Sequence, residues 1–174
     1  DIYIEHQAKN WATGYNFPAV NRGDVIKAQI AHQIPTQSQG LFMNTRRPTF
    51  SQTKVREALG LMFDFEWTNR TLFSSAYKRT LSYYPNSEFA ATGVPVGHEW
   101  LMLSPYREQL PINLFTQAFS LPQTDGRGIP RDTMRRALAL LGEAGWKLSG
   151  QRLLNSDGQP LRFEILLVNP NLER

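Results

Sequence analysis

His98-Glu99 is the one place in the chain where an acid directly follows a histidine. A zinc site of the His-Glu-x-x-His kind needs a second histidine one helical turn on, and position 102 is Met. The pair therefore reads as solvated loop residues, and a hydrolase built on it is the weakest reading. Asp64 and Glu66 lie two apart, just before Trp67. Paired carboxylates can share acid–base work, but Glu66 reads more simply as an acid in a helical first turn, where the helix dipole favours it. Ser74, Ser75 and Ser82 lack the Gly-x-Ser-x-Gly elbow that exposes a nucleophile on a sharp turn. Gly40, Gly126 and Gly128 form no phosphate-cradling loop, and Asp125–Gly128 reads as a turn. Asn69-Arg70-Thr71 is a glycosylation sequon by pattern only. With no cysteine, disulfides and thiolate or Cys-ligated metal chemistry are excluded. No catalytic residue, metal ligand or cofactor is assigned, and the expectation is a protein that is not an enzyme.

Binding chemistry has more to stand on. Phe73, Tyr77, Lys78, Arg79, Tyr83, Tyr84 and Asn86 interleave rings, cations and an amide within one short stretch. Arginine can hold a carboxylate through a forked pair of N–H bonds, and rings supply contact area without demanding one side chain. Packing of the same rings on a core explains the stretch equally well. Asn169-Pro170-Asn171 follows an apolar run. Ligands commonly sit beyond the carboxyl ends of strands in open α/β sheets, and Asn can donate to and accept from a peptide backbone. An ordinary polar turn is the competing reading.

The elements that must position these groups are legible in part. Residues 1–13 suit a short helix, and Asn16–Gly23 is a turn-rich connector. Asp24–Ile34 alternates Ile26, Ala28 and Ile30 with Lys27, Gln29 and Ala31, a strand pattern. Leu41-Phe42-Met43 reads as a short buried strand. Ser51 is placed to cap a helix whose apolar stripe is Val55, Ala58, Leu59 and Met62. A second helix spans Glu66 to about Ser74. Residues 75–130 hold most of the proline and little periodicity, and such long irregular regions often carry binding surfaces. Asp132–Ala144 repeats a helical stripe through Met134, Ala137, Leu138 and Leu141. Gly145 suits the left-handed residue beyond the helix, and Trp146 is placed to pack back. Residues 146–168 read as a β-hairpin turning at Asp157-Gly158, with Leu161, Phe163, Ile165 and Leu167 alternating along the return strand. Helices and strands mix without regular alternation, so the class is α/β or α+β.

At 174 residues, 41% hydrophobic and 20% charged, the chain has the composition of an ordinary globular domain. No apolar run is long enough to span a membrane. The first residues are not an intact signal peptide, and both ends read as cuts in a longer protein. The net charge is +4, but Arg46-Arg47, Lys78-Arg79 and Arg135-Arg136 are pairs and not a basic stripe, which argues against nucleic acid. A lack of cysteine suits an oxidising compartment.

Three segments, in order, resemble the family 5 extracellular solute-binding proteins, the oligopeptide and dipeptide receptors of bacterial ABC importers. Asn44–Leu59 is similar to the family's strand ending in Asn, a Pro-containing turn and a helix opening Val55-Arg56-x-Ala58-Leu59. Phe63–Gly93 resembles the Yej-type subgroup of peptide receptors. Residues 137–148 and 157–171 resemble the family's helix ending Ala-Gly-Trp and the hairpin that follows. Where the family often carries an acid before the Val-Arg helix, this chain has Gln52, so Ser51 or Thr53 would have to cap.

The resemblance implies an α/β fold that is part of a two-lobed periplasmic-binding-protein fold, mainly its second lobe. Residues 1–36 would be the end of the first lobe or the hinge side of the second, and 37–174 the N-terminal portion of the second. It implies a periplasmic receptor without catalysis or cofactor. Oligopeptide would bind in the interlobe cleft and pass to the permease subunits. The receptor would be a monomer that meets the membrane only through the transporter and binds no nucleic acid. Tyr77, Arg79 and Asn86, with Asn169, Asn171 and Arg174 at the last strand end, are the expected ligand contacts. The acidic anchor for a peptide N-terminus in such receptors would lie beyond Arg174. The rival expectation is a stand-alone basic module that binds nucleic acid or an acidic partner.

Overall fold

The computed structural model describes residues 1–36 and 38–167. The chain forms two compact units, each made of two stretches: Asp1–Gly40 with Phe65–Gly126, and Leu41–Asp64 with Arg127–Arg174.

The second unit holds the main apolar core. Its helices are α3 (Pro48–Ser51), α4 (Thr53–Leu61) and α8 (Arg131–Glu143), followed by strands β1 (Lys147–Ser149) and β2 (Arg152–Leu154). Val55, Ala58 and Leu61 of α4 meet Ala137 and Leu141 of α8 and Ala144 beyond it. Three of these six are alanines, and small side chains let the two helices approach closely. Val55, at 0% exposure, fills the centre. Leu59, Leu140, Trp146, Leu153 and Leu161 pack around the margin. Lys54 and Glu143 pair across the same helices at 2.6 Å.

The helix boundaries follow the sequence, while the faces and caps depart from it in instructive ways. The buried stripe of α4 is Val55, Ala58 and Leu61, and Met62 is 40% exposed. Met62 lies one residue past the helix, where the chain has left the α8 contact. Ser51 does not cap α4. It closes α3, its hydroxyl donating back to the Pro48 carbonyl at 2.8 Å. Gln52 holds the N-cap position with no side-chain cap bond, because its amide instead donates to the Ala144 carbonyl at 3.2 Å. Thr53 Oγ1 accepts from Arg56 at 2.9 Å, and the same guanidinium holds the Phe50 and Ser51 carbonyls at 2.7 and 3.0 Å. Arg56 thus stitches the α3–α4 turn.

The expected closure of α8 is present: Gly145 is left-handed (φ 90), and the Trp146 N–H donates to the Leu141 carbonyl at 2.8 Å. The hairpin turn, however, is Gly150-Gln151 between β1 and β2, with Ser149 opposite Arg152 and Gly150 at φ 60. Asp157-Gly158 makes a second turn, after which Leu154 bridges Pro160 and the Leu161 N–H reaches the Leu153 carbonyl at 2.8 Å. Asn155 Oδ1 accepts the Asp157 and Gln159 N–H groups at 3.1 and 2.8 Å and fixes that turn. Beyond Leu161 the alternating residues form no ladder through Leu167.

The first unit carries α1 (Ala8–Thr13), α2 (Pro18–Arg22), α5 (Phe65–Leu72), α6 (Gly97–Leu103), a 3₁₀ turn at Ser104–Tyr106 and α7 (Asn113–Thr116). Only the latter half of residues 1–13 is helical, and the connector contains α2, started by Pro18 and stopped by left-handed Gly23. Asp24–Ile34 is not a strand. Ile26 and Ile30 are 84% and 81% exposed, and no described segment pairs with them, so the alternation has no ladder to join. Leu41 and Phe42 are likewise exposed and outside any strand. Among the described residues, Phe115 is this unit's buried large apolar side chain, with Trp100 edge-on to it at 5.5 Å. Polar clasps do much of the remaining work. Thr124 donates its N–H and hydroxyl to Glu66 at 3.1 and 3.3 Å, and Arg70 bonds the Asp125 and Gly126 carbonyls. Glu66 is indeed a first-turn acid.

Candidate functional site

The stretch from Tyr77 to Phe89 lies within the first unit and is almost free of regular structure. It is positioned from α5. Asn69 takes both sides of the Tyr77 peptide with its amide, donating to the carbonyl at 2.7 Å and accepting the N–H at 3.0 Å. Its own carbonyl accepts the Phe73 and Ser75 N–H groups, and the turn between is tight enough to place Ser74 and Ser75 at φ 53 and 59. The Tyr77 ring meets Phe73 edge-on at 5.1 Å.

Arg79 follows, half-buried. Its guanidinium sits over the Phe65 ring, 5.6 Å from the centroid, and donates to the Pro122 carbonyl. Further along, Ser82, Tyr83 and Pro85 offer their carbonyls to the extended chain that precedes them. Ser38 Oγ donates to Ser82 and Tyr83 at 3.0 and 2.9 Å, and the Thr36 N–H reaches Pro85 at 3.0 Å. Asn86 is left-handed (φ 59), a conformation asparagine tolerates better than most. Its amide donates to the His32 and Ile34 carbonyls, both at 2.9 Å.

Tyr77, Arg79 and Asn86 are therefore brought into one segment, each engaged by internal partners. What the segment offers outward is aromatic: Tyr83 is 77% and Phe89 71% exposed, and Tyr84 lies edge-on to Phe89 at 6.4 Å. Phe89 was not singled out as a binding residue, because a lone phenylalanine carries no spacing signal; Tyr83 and Tyr84 were legible in the aromatic pair. Asn169, Asn171 and Arg174 lie outside the described residues.

His98 and Glu99 are exposed in the first turn of α6. Among the described residues no group of three His, Cys, Asp or Glu could hold a metal ion, and no helix is long and apolar enough to cross a membrane. The surface at Tyr83–Phe89 offers exposed aromatic area for contact.

Residues 1–174 match the family described as "Bacterial extracellular solute-binding proteins, family 5 Middle", and the chain belongs to that family. The membership agrees with a periplasmic-binding-protein fold, of which the described residues supply helices and a two-stranded sheet, and it indicates a binding role. The chain is 43% identical over 168 residues to "Uncharacterized protein YejA" of Escherichia coli K12, covering 96% of this chain and 28% of that protein. It is 39% identical to "Peptidoglycan-binding protein YepA" of Agrobacterium fabrum, over all of this chain and 30% of the relative. To "Probable peptide-binding protein YejA" of the same organism it is 36% identical, over all of this chain and 29% of the relative. The chain thus spans less than a third of the length of these relatives.

Proposed function

We propose that this chain is part of the substrate-binding component of a bacterial ABC importer, a periplasmic receptor that holds oligopeptides in an interlobe cleft and delivers them to the permease. Residues 1–36 would be the end of the first lobe or the hinge side of the second, and 37–174 the N-terminal portion of the second. The match of the whole chain to a solute-binding family carries the reading; the peptide-binding name of one relative supports the ligand class. The Tyr77–Phe89 segment supports it further, since exposed rings on a clasped backbone give contact area without strict side-chain demands. Asn169, Asn171 and Arg174 remain candidate contacts beside Tyr77, Arg79 and Asn86. No reaction is catalysed. The receptor works as a monomer, binds no nucleic acid and meets the membrane through the transporter.

Titration calorimetry of a polypeptide of the relatives' length that carries this chain, against mixed short peptides, tests the reading. Saturable heat with peptides is expected; heat with a sugar or metal ion but with no peptide would overturn it. A second reading follows from the 39% identity to a protein named for binding peptidoglycan: the peptide is a fragment of cell-wall peptidoglycan. Competition between a muropeptide and a plain peptide of the same sequence separates the two.

A further inference from the structure

In the second unit, α8 and the β1–β2 hairpin enclose an apolar floor edged by arginines. A concavity of about 350 Å³ is lined chiefly by Leu138, Leu148, Leu153 and Leu161, with Arg152 and Arg162 among its remaining residues. Arg131, Met134, Arg135 and Leu138 share one exposed face of α8 beside it, and Leu138 lines the concavity as well. Leu138 and Met134 were expected in the core of this helix. Both are exposed, as is Leu148, because the core is already filled by Ala137 and Leu141.

All four arginines are exposed. No residue lining the concavity or named on that face of α8 is acidic or aromatic. Neither the Arg22–Asp24 nor the Lys54–Glu143 ion pair involves these guanidiniums; Arg135 Nε donates to the Arg131 carbonyl at 3.4 Å. Covering such a floor with a neutral surface would strip water from cations and return nothing. A surface that brings carboxylates to the rim and an apolar side chain to the floor offsets that cost, because carboxylates match the guanidinium fork and complementary charge sets the partner's identity and encounter rate. Single-stranded nucleic acid also brings negative charge, but its bases bind by stacking on rings, and the floor has none.

We propose that this arginine-rimmed surface docks an acidic segment of a partner protein, one that presents apolar side chains between its carboxylates. The proposal rests on the second unit alone and is independent of what the cleft binds.

A short fluorescein-labelled peptide alternating Glu and Leu, titrated into a polypeptide of the relatives' length that carries this chain and followed by anisotropy, tests it. Saturable binding is expected, with none for the same peptide carrying Lys in place of Glu. Arg152→Glu with Arg162→Glu weakens binding tenfold or more. Leu138→Gln weakens it at least threefold without any change of charge. Arg46→Glu with Arg47→Glu, an equal change of charge at exposed residues elsewhere in the unit, leaves it within twofold. Circular dichroism confirms that each variant is folded; should the double arginine variant unfold, Leu138→Gln and Arg131→Glu alone decide. Absence of saturable binding, equal loss in the Arg46/Arg47 variant, unchanged binding in Leu138→Gln, or tighter binding of a single-stranded oligonucleotide overturns the proposal.

Discussion

Asn69 and Tyr77 are joined as though the side chain of one were a strand beside the other. The Asn69 amide donates to the Tyr77 carbonyl at 2.7 Å and accepts its N–H at 3.0 Å. An irregular segment cannot satisfy its backbone through a ladder, and a peptide left half-buried without partners costs free energy. One asparagine supplies both partners, and so anchors the start of the aromatic segment to α5.

Asn69→Ala is accordingly expected to destabilise the chain by about 1–3 kcal/mol, since it strands a donor and an acceptor together. Asn69→Asp, which keeps the acceptor and loses the donor, falls between. Urea denaturation measures both. An alanine variant as stable as the parent would show that the clasp contributes nothing.

Gly126 faces the guanidinium that grips its own carbonyl. A Cβ there would lie 2.9 Å from Arg70 Nη1, and the residue is left-handed at φ 71. Gly158 has nearly the same backbone, φ 75, but open space around it. Gly158→Ala should cost about 1 kcal/mol from backbone alone. Gly126→Ala should cost a further ~0.5–1.5 kcal/mol, because the added methyl displaces the mobile end of Arg70 from the Asp125 and Gly126 carbonyls. In the Arg70→Ala background that excess disappears, a coupling that thermal melts of the double-mutant cycle detect. Equal costs at the two glycines would refute the steric account.

The α4–α8 core makes a third expectation. Val55→Ala removes two methyls from a site with 0% exposure and should cost about 2 kcal/mol. Met134→Ala, a turn before Ala137 on the same stripe of α8 but already exposed, should stay within about 0.5 kcal/mol. Ala58→Leu should destabilise by about 1–3 kcal/mol, because the close helix approach has no room for it. Denaturant midpoints rank the three.

Glu5 gives a pH dependence of definite sign. Its carboxylate accepts the Gln7 N–H at 2.8 Å and the Tyr15 hydroxyl at 3.1 Å. The Gln7 bond foremost, with Tyr15's help, holds its pKa below the ordinary value against a smaller opposing effect of desolvation. A carboxyl depressed in the folded state contributes fully above its unfolded pKa and loses that contribution as pH falls through the folded one. The Gln7 amide resonance should therefore titrate with a midpoint below the usual glutamate range, and Glu5→Gln should abolish the step. A midpoint at or above the usual range would contradict the hydrogen-bond assignment.

Local pattern carried much of this protein. Hydrophobic period located α4, α5 and α8 to within a residue or two, although Ser51 does not cap α4, and the Ala-Gly-Trp ending of α8 forms through Gly145 as its residues require. The family signature was legible for the same reason: it consists of local structure that neighbouring residues dictate, and the match spans residues 1–174. Alternation in Asp24–Ile34 was equally clear and misled, since a strand exists only where another chain segment meets its N–H and C=O groups.

What only tertiary structure decided are the choices that depend on a partner distant in sequence. Leu61 is buried in place of Met62 because α8 meets that side of α4. Gln52 serves the end of α8 and not its own helix because Ala144 lies within reach. Arg79 and Asn86, chosen as ligand contacts for their chemistry, have that chemistry engaged by Pro122 and by His32 and Ile34. A side chain's type fixes what it can bond; which of its many potential partners it meets is set by how the whole chain packs.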